Sequence, residues 1–323
     1  MAVIRHSHAA RESPDTVLVL RALGLGDAVA GIAALRGVRR AWPASRLVLA
    51  APGWLGGWLR GLGIVDHVLH ARGLGPLDWP PDAVGHIAVN LHGRGPHSHR
   101  VLQATSPERL VAFQSLEARH EGPEWRADEH EVERWCRLIS AAGGPCGVDD
   151  LRLPRLADRH DDVLVHPGAA FGSRRWPVLR WRSVVRALVR RGHRVIVTGG
   201  PSERRICAQV VEGQDGVGDL SGKLSIPALA DLIAGAPLLV CGDTGPAHLA
   251  TAYGTPSVLL FGPTPPDHWG PAIDAHLHTV LWRGGRRRGD PQGVELDAGL
   301  AAIEVDEVLA AVDALLSERA VSH

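Results

Sequence analysis

Short apolar runs alternate along the chain with longer stretches whose apolar positions recur every three or four residues. Thr16 to Ala22 (TVLVLRA) predicts a strand, and Ala28 to Arg40 carries helical spacing. Between them lies the glycine-rich turn Leu23-Gly24-Leu25-Gly26-Asp27. Arg46 to Ala51, Val65 to Leu69, His86 to Leu91 and Arg109 to Phe113 predict further strands, with a helix around Trp54 to Leu62. His92 to Arg100 reads as a polar loop at a strand end. Ala127 to Ala142 reads as a helix with Val132, Trp135, Leu138 and Ile139 on its apolar side, stopped by Gly143-Gly144-Pro145.

The second half repeats the alternation. Val163 to His166 predicts a strand that runs into a glycine turn and then a helix to Arg191, and His193 to Thr198 predicts the next, ending at Gly199-Gly200-Pro201-Ser202-Glu203. A helix from Ser225 to Ala234 stops at Gly235 and feeds the apolar run Leu238 to Gly242; Thr255 to Phe261 follows as a strand. The alternation predicts an α/β chain of two doubly wound domains, each on a parallel sheet, with a central cleft between them. The boundaries read as a flexible tail over 1–15, a first domain over 16–150, a polar linker over 151–162, a second domain over 163–303 and a closing segment over 304–323.

Composition removes several classes. Among 323 residues, 35 Lys+Arg balance 35 Asp+Glu, so no global field favours nucleic acid, and Arg286-Arg287-Arg288 reads as a solvated loop. Hydrophobic residues make up 45%, yet no apolar run approaches the ~20 residues a membrane helix needs. Met1 to Asp15 lacks a signal-type apolar core, so the expectation is a cytoplasmic protein without an integral membrane segment, with peripheral association left open. Cys136, Cys146, Cys207 and Cys241 show no metal-ligand spacing and read as packed thiols. The histidines of the His92 to Arg100 loop match no metal site either, so no metal is expected and the loop reads as substrate-contacting.

Chemistry concentrates at strand ends. Leu238 to Cys241 leads through Gly242-Asp243-Thr244-Gly245 into a helix opened by Pro246, which places Asp243 and Thr244 where ligands of open α/β sheets collect. With Gly245 as N-cap, the amides of Ala247 and His248 stand unpaired at the positive end of the helix, ready for a diphosphate. An ordinary strand-to-helix turn with a packed His248 explains the same pattern. Asp27 likewise reads as a helix N-cap or as a carboxylate base, and the glycines before it allow a close approach. Gly168 closes another strand-end turn, and Arg174 and Arg175 follow at a distance that brings a guanidinium to phosphate oxygens or leaves a solvated pair. A dinucleotide fingerprint fails in the first turn, where Val29 takes the third glycine's place and Ser45-Arg46 stands where an acid is needed.

The ordered set Gly26-Asp27, His166-Pro167-Gly168-Ala169, Arg175-Trp176-Pro177, Gly199-Gly200-Pro201-Ser202-Glu203, Leu220-Ser221-Gly222-Lys223-Leu224-Ser225 and Asp243-Thr244-Gly245-Pro246-Ala247-His248 resembles glycosyltransferase family 9, the ADP-heptose:lipopolysaccharide heptosyltransferases. The resemblance implies a GT-B fold of two Rossmann-like domains, with the acceptor on the first and the nucleotide-sugar on the second. It implies inverting, metal-independent transfer of a sugar, heptose from ADP-heptose first, to a hydroxyl of a cell-envelope glycan or small molecule, with no cofactor. Asp27 would be the base, and Arg175 the cation where heptosyltransferases carry lysine. Asp243, Thr244, Gly245, Ala247, His248, Arg174 and Gly168 would hold the diphosphate, Glu203 the ribose and Leu224 the base. Gly26, His92 and Arg94 fall to the acceptor side. The closing helix, Val305 to Leu316, would pack back on the first domain. Between His278 and Ile303, where many relatives carry cysteines, this chain has none. Alternatives are a GT-B nucleotide-sugar epimerase or hydrolase, and a binding protein without transferase activity.

Overall fold

The computed structural model describes residues 14–285 and 289–321. Most of the expected tail over 1–15, and all of Arg286-Arg287-Arg288, lie outside the described residues. In chain order the elements are β1 (Thr16–Leu20), α1 (Leu25–Ala30), α2 (Ile32–Ala41), β2 (Arg46–Ala51), α3 (Gly53–Gly61), β3 (His67–His70), β4 (Ile87–Asn90), α4 (His97–Gln103), β5 (Arg109–Val111) and α5 (Glu131–Ala141). They continue as β6 (Asp162–His166), α6 (Val178–Arg190), β7 (Arg194–Val197), α7 (Arg204–Val211), β8 (Val217–Asp219), α8 (Ile226–Gly235), β9 (Leu239–Gly242), α9 (Gly245–Tyr253), β10 (Ser257–Phe261), α10 (Pro266–Trp269), β11 (His278–Trp282), α11 (Ala298–Ala301) and α12 (Val305–Val321).

The chain divides into two units. One holds residues up to 22 with 35–125 and 138–145; the other holds 23–34, 126–137 and 146 onward. Segments 23–34 and 126–137, expected in the first domain, therefore associate with the second. In the first unit the parallel order is β3-β2-β1-β4-β5. Leu18 and Leu20 pack there with Val48, Ala50, Ala88, Val101 and Leu102. The polar loop expected over His92 to Arg100 is partly helical, because α4 starts at His97.

In the second unit the order is β11-β10-β9-β6-β7-β8, again parallel, and strand order reverses between β6 and β9. Leu164, Val165 and His166 stand in register with Leu239, Val240 and Cys241, so both strands deliver their following turns to one point. Such a reversal is where open α/β sheets bind ligands. β8 and β11, short or half-buried, are strands that the apolar pattern does not signal.

One expectation about the ends of this unit is corrected. α12 packs within the second unit: Val308, Leu309, Val312 and Leu315 join Val184, Leu188, Val258 and Leu260 in one buried cluster. Arg191 to Asp313 at 2.9 Å and Arg180 to Glu304 at 3.0 Å flank that seam, so the helix spends its apolar stripe on α6 and β10. The linker is strapped down too. Leu153 N–H bonds the Ala252 carbonyl at 2.8 Å, Arg155 reaches the Tyr253 and Gly254 carbonyls at 2.9 and 2.8 Å, and Arg152 pairs with Asp274. Among the described residues, no helix is long and apolar enough to cross a membrane.

Candidate active site

β9 is buried throughout and ends at Gly242, and Asp243 follows with 5% of its surface exposed. Burial pushes its carboxyl above the ordinary range, against the pull of His248 and Arg174 and with Asp27 adding to the rise. The nearest cation, Arg174, holds Nη1 3.6 Å from the carboxylate and donates to the Asp243 carbonyl at 3.4 Å. Thr244, rather than Gly245, is the N-cap of α9, and the Ala247 amide donates back to the Thr244 carbonyl at 3.0 Å. Pro246 brings no N–H, so the donor end of this helix moves back to Thr244 and Gly245.

α1 crosses this helix start on glycine. A Cβ on Gly26 would stand 2.8 Å from His248 Cδ2, and one on Gly245 would stand 2.8 Å from Leu25 Cβ. A side chain at either position would force the facing His248 ring or Leu25 side chain to shift. Asp27 is the third residue of α1, with Gly24 as the cap, and its carboxylate accepts the Gly24 N–H at 3.3 Å. The contact explains why 23–34 travels with the second unit: the first turn of α1 packs on α9. Burial holds the His248 imidazole below its ordinary range; Asp243 opposes that and His130 adds to it.

At the end of β6, a Cβ on Gly168 would lie 2.2 Å from the Glu203 carboxyl, so a side chain there would push that carboxyl aside. Glu203 accepts the Gly200 N–H at 2.7 Å and has His166 Nε2 at 3.5 Å, while His166 Nδ1 meets Thr198 Oγ1 at 3.0 Å. Burial would raise the Glu203 carboxyl, but His166, the Gly200 N–H and Arg175 together hold it below the ordinary range. The Ser221-Gly222-Lys223 turn leans on the same place, with Gly222 N–H on the Gly199 carbonyl at 2.7 Å, and half-buried Leu224 follows it. The two arginines part company. Arg175 Nε and Nη2 donate to the Ala169 and Ala170 carbonyls at 2.8 and 3.3 Å, bracing the turn, and Arg174 is the cation beside Asp243. Trp176, 3% exposed, anchors both through Nε1 on the Ile303 carbonyl at 3.1 Å.

The model of glycosyltransferase family 9 (heptosyltransferase) matches residues 107–284, more than half of the chain. The chain belongs to glycosyltransferase family 9. Lipopolysaccharide heptosyltransferase 3 of Escherichia coli is 32% identical over 161 residues, 48% of this chain and 46% of that protein. Lipopolysaccharide heptosyltransferase 1 of Pseudomonas aeruginosa is 32% identical over 160 residues, 46% of this chain and 44% of that protein. The chain spans about half the length of the curated relatives it matches. Among solved structures, a family 9 glycosyltransferase of Veillonella parvula superposes with TM-score 0.74 at 19% identity, covering 94% of this chain and 98% of its own. The E. coli ADP-heptose lipopolysaccharide heptosyltransferase II gives 0.71 at 18%, covering 94% and 99%. The fold is thus the GT-B fold of that family.

In this family 9 chain the second unit gathers Gly26, Asp27, Asp243, Thr244, Gly245, Ala247, His248 and Arg174 around the start of α9. Gly168 and Arg175 follow β6, Glu203 follows β7, and Leu224 follows β8. His92 and Arg94 lie in the other unit. His92 Nδ1 accepts the Ala22 N–H at 3.2 Å, and burial with the nearby Arg21 brings its pKa down to about 4; Arg94 is exposed. Sequence reading passes over Thr198, His130 and Trp269, whose roles depend on partners distant in the chain. His166 is legible only as part of a motif. Burial pushes the Cys207 thiol up to about 12, in keeping with a packed, unreactive cysteine. Among the described residues, no group of three or more His, Cys, Asp or Glu is placed to hold a metal ion.

Proposed function

We propose that this chain is an inverting, metal-independent glycosyltransferase that moves a sugar from a nucleoside diphosphate, with ADP-heptose as the first donor to test, to a hydroxyl of a cell-envelope glycan or small molecule. The relatives' names point to a lipopolysaccharide-type acceptor; the loop around His92 and Arg94 carries the choice. Asp27 takes the proton of the acceptor hydroxyl as its oxygen attacks the anomeric carbon. The bond to the diphosphate breaks on the opposite face, and the released charge is met by the start of α9 and by Arg174. Arg175 acts by holding the Ala169-Ala170 turn. Glu203 and Leu224 are the nucleoside contacts. The reaction is placed on the cytoplasmic side, with peripheral membrane contact allowed.

The observation that carries this reading is the glycine crossing of α1 on α9, because it packs the helix that carries Asp27 onto a helix start beside which Arg174 stands. Calorimetric titration with ADP, UDP, GDP and NAD, without added metal, tests the seat. Selective ADP binding supports the reading, a preference for UDP or GDP moves the donor, and binding of NAD alone defeats it. Asp27→Ala is then expected to lower transfer by about 10²-fold or more, the scale of a lost general base, with ADP affinity kept. A matching loss of affinity would return Asp27 to a purely capping role.

A further inference from the structure

One histidine ties the start of α5 to the start of α9. His130 stands immediately before α5, and its Nδ1 accepts the Val132 N–H at 3.2 Å. That nitrogen is therefore unprotonated, and in the neutral ring the proton sits on Nε2. Nε2 donates to the Gly270 carbonyl at 3.0 Å. Gly270 is gripped from its other side as well: its N–H bonds the Pro266 carbonyl at 2.6 Å, and a Cβ would stand 2.6 Å from that same oxygen. The preceding residue, Trp269, meets the His248 ring edge-on, with centroids 5.6 Å apart and planes at 69°. Beyond His248 lies Gly26, within van der Waals reach of the imidazole.

The contacts form a relay, His130 to Gly270 to Trp269 to His248, that ends where α1 crosses α9. We infer that His130 is a positioning residue for the nucleoside-diphosphate seat: by holding the Gly270 carbonyl it fixes the Trp269 ring, and that ring keeps the His248 imidazole against Gly26. The inference rests on the seat proposed above. It separates the two ring nitrogens by task, since Nδ1 caps α5 and Nε2 serves the seat.

Two replacements divide those tasks. His130→Asn keeps an acceptor for the Val132 N–H and loses the reach to Gly270; His130→Gln keeps a donor toward Gly270 and gives up the cap. With ADP as the probe and the full chain without added metal, His130→Asn is expected to weaken binding about tenfold while keeping its melting temperature, the scale of one lost hydrogen bond. His130→Gln is expected to melt lower and bind within about threefold of the parent, by the same measure. Trp269→Ala is expected to match His130→Asn, and the double replacement to be no weaker than either alone, because the two act in series. Unchanged ADP affinity in His130→Asn, or losses that add in the double replacement, would overturn the inference. A parent chain that binds no nucleoside diphosphate overturns the seat itself and the inference with it.

Discussion

Asn90 anchors a closed hydrogen-bond network at the carboxyl end of the first sheet, whereas Asp243, at the reversal point of the second, meets its cation at 3.6 Å. Asn90, fully buried at the end of β4, shares its two amide N–H groups among the Gly93 carbonyl, Ser98 Oγ and His99 Nδ1 at 3.0, 2.9 and 3.1 Å and accepts the His92 N–H at 2.9 Å. His99 in turn meets the Phe113 carbonyl at 2.7 Å, and Arg21 the Leu91 carbonyl. Every one of these bonds fixes a loop. In the second unit, Asp243 is as deeply buried, yet its nearest cation stands at 3.6 Å and its carboxyl is pushed toward neutrality. A closed network stabilises; an open one leaves electrostatic work for a ligand.

Paired replacements give the largest effect that separates the two regions. Asn90→Ala strips several buried partners at once and is expected to cost about 2 to 3 kcal/mol of stability with ADP affinity unchanged. Asp243→Ala removes a costly buried charge, so its melting temperature is expected to move little, while ADP binding falls about tenfold as Arg174 loses its anchor. Thermal melts and titration on both variants measure the contrast. ADP binding that tightens in Asp243→Ala would mean that the carboxylate opposes the diphosphate, and that Arg174 needs no anchor.

The difference between the regions also governs what the sequence makes legible. Buried parallel strands announce themselves as apolar runs, so β1, β2, β4, β6, β7, β9 and β10 can be read to within a residue or two. β8 and β11 cannot, since half-buried edges carry no strong pattern. The β9 turn is legible because Pro246 marks a first helical turn, but Thr244 takes the cap that Gly245 is expected to fill, since Thr244 is the last extended residue and Gly245 already belongs to the helix. Asp27 illustrates the limit. Spacing shows an acid at a helix start, but only the fold shows it at the third position and reveals that its helix packs on α9. The different partners of Arg174 and Arg175 are invisible for the same reason, since side-chain direction depends on where the turn closes.

That difference in partners supplies the middle prediction. Arg174→Ala is expected to lose about tenfold in ADP affinity, the scale of one charge-assisted contact, with little change in melting. Arg175→Ala is expected to cost about 1 kcal/mol of stability through the Ala169-Ala170 turn and to change affinity by about threefold or less. Titration and melting of the two side by side decide the assignment. Equal losses of affinity would restore Arg175 to the phosphate and blur the division between bracing and binding.

The smallest expected effect is one of pH, and it belongs to both units. His92 in the first and His278 in the second are each held neutral by burial with pKa about 4, and in His278 this outweighs the opposing pull of Asp274. Unfolding returns each to the ordinary value near 6.5, so between about 6.5 and 4 the unfolded chain binds the protons that the folded chain refuses. Stability from these sites is therefore complete above pH about 6.5 and is lost progressively as pH falls toward 4, where the folded rings begin to protonate. Denaturant melts across that window are expected to show the slope. His92→Gln, which keeps an acceptor for the Ala22 N–H, is expected to flatten it by one proton's share and leave ADP affinity at neutral pH untouched. A slope that survives His92→Gln unchanged would assign the acid loss to the other imidazoles that burial holds low, His86, His99, His120, His248 and His278, the last with Ser257 Oγ 2.8 Å from its Nδ1.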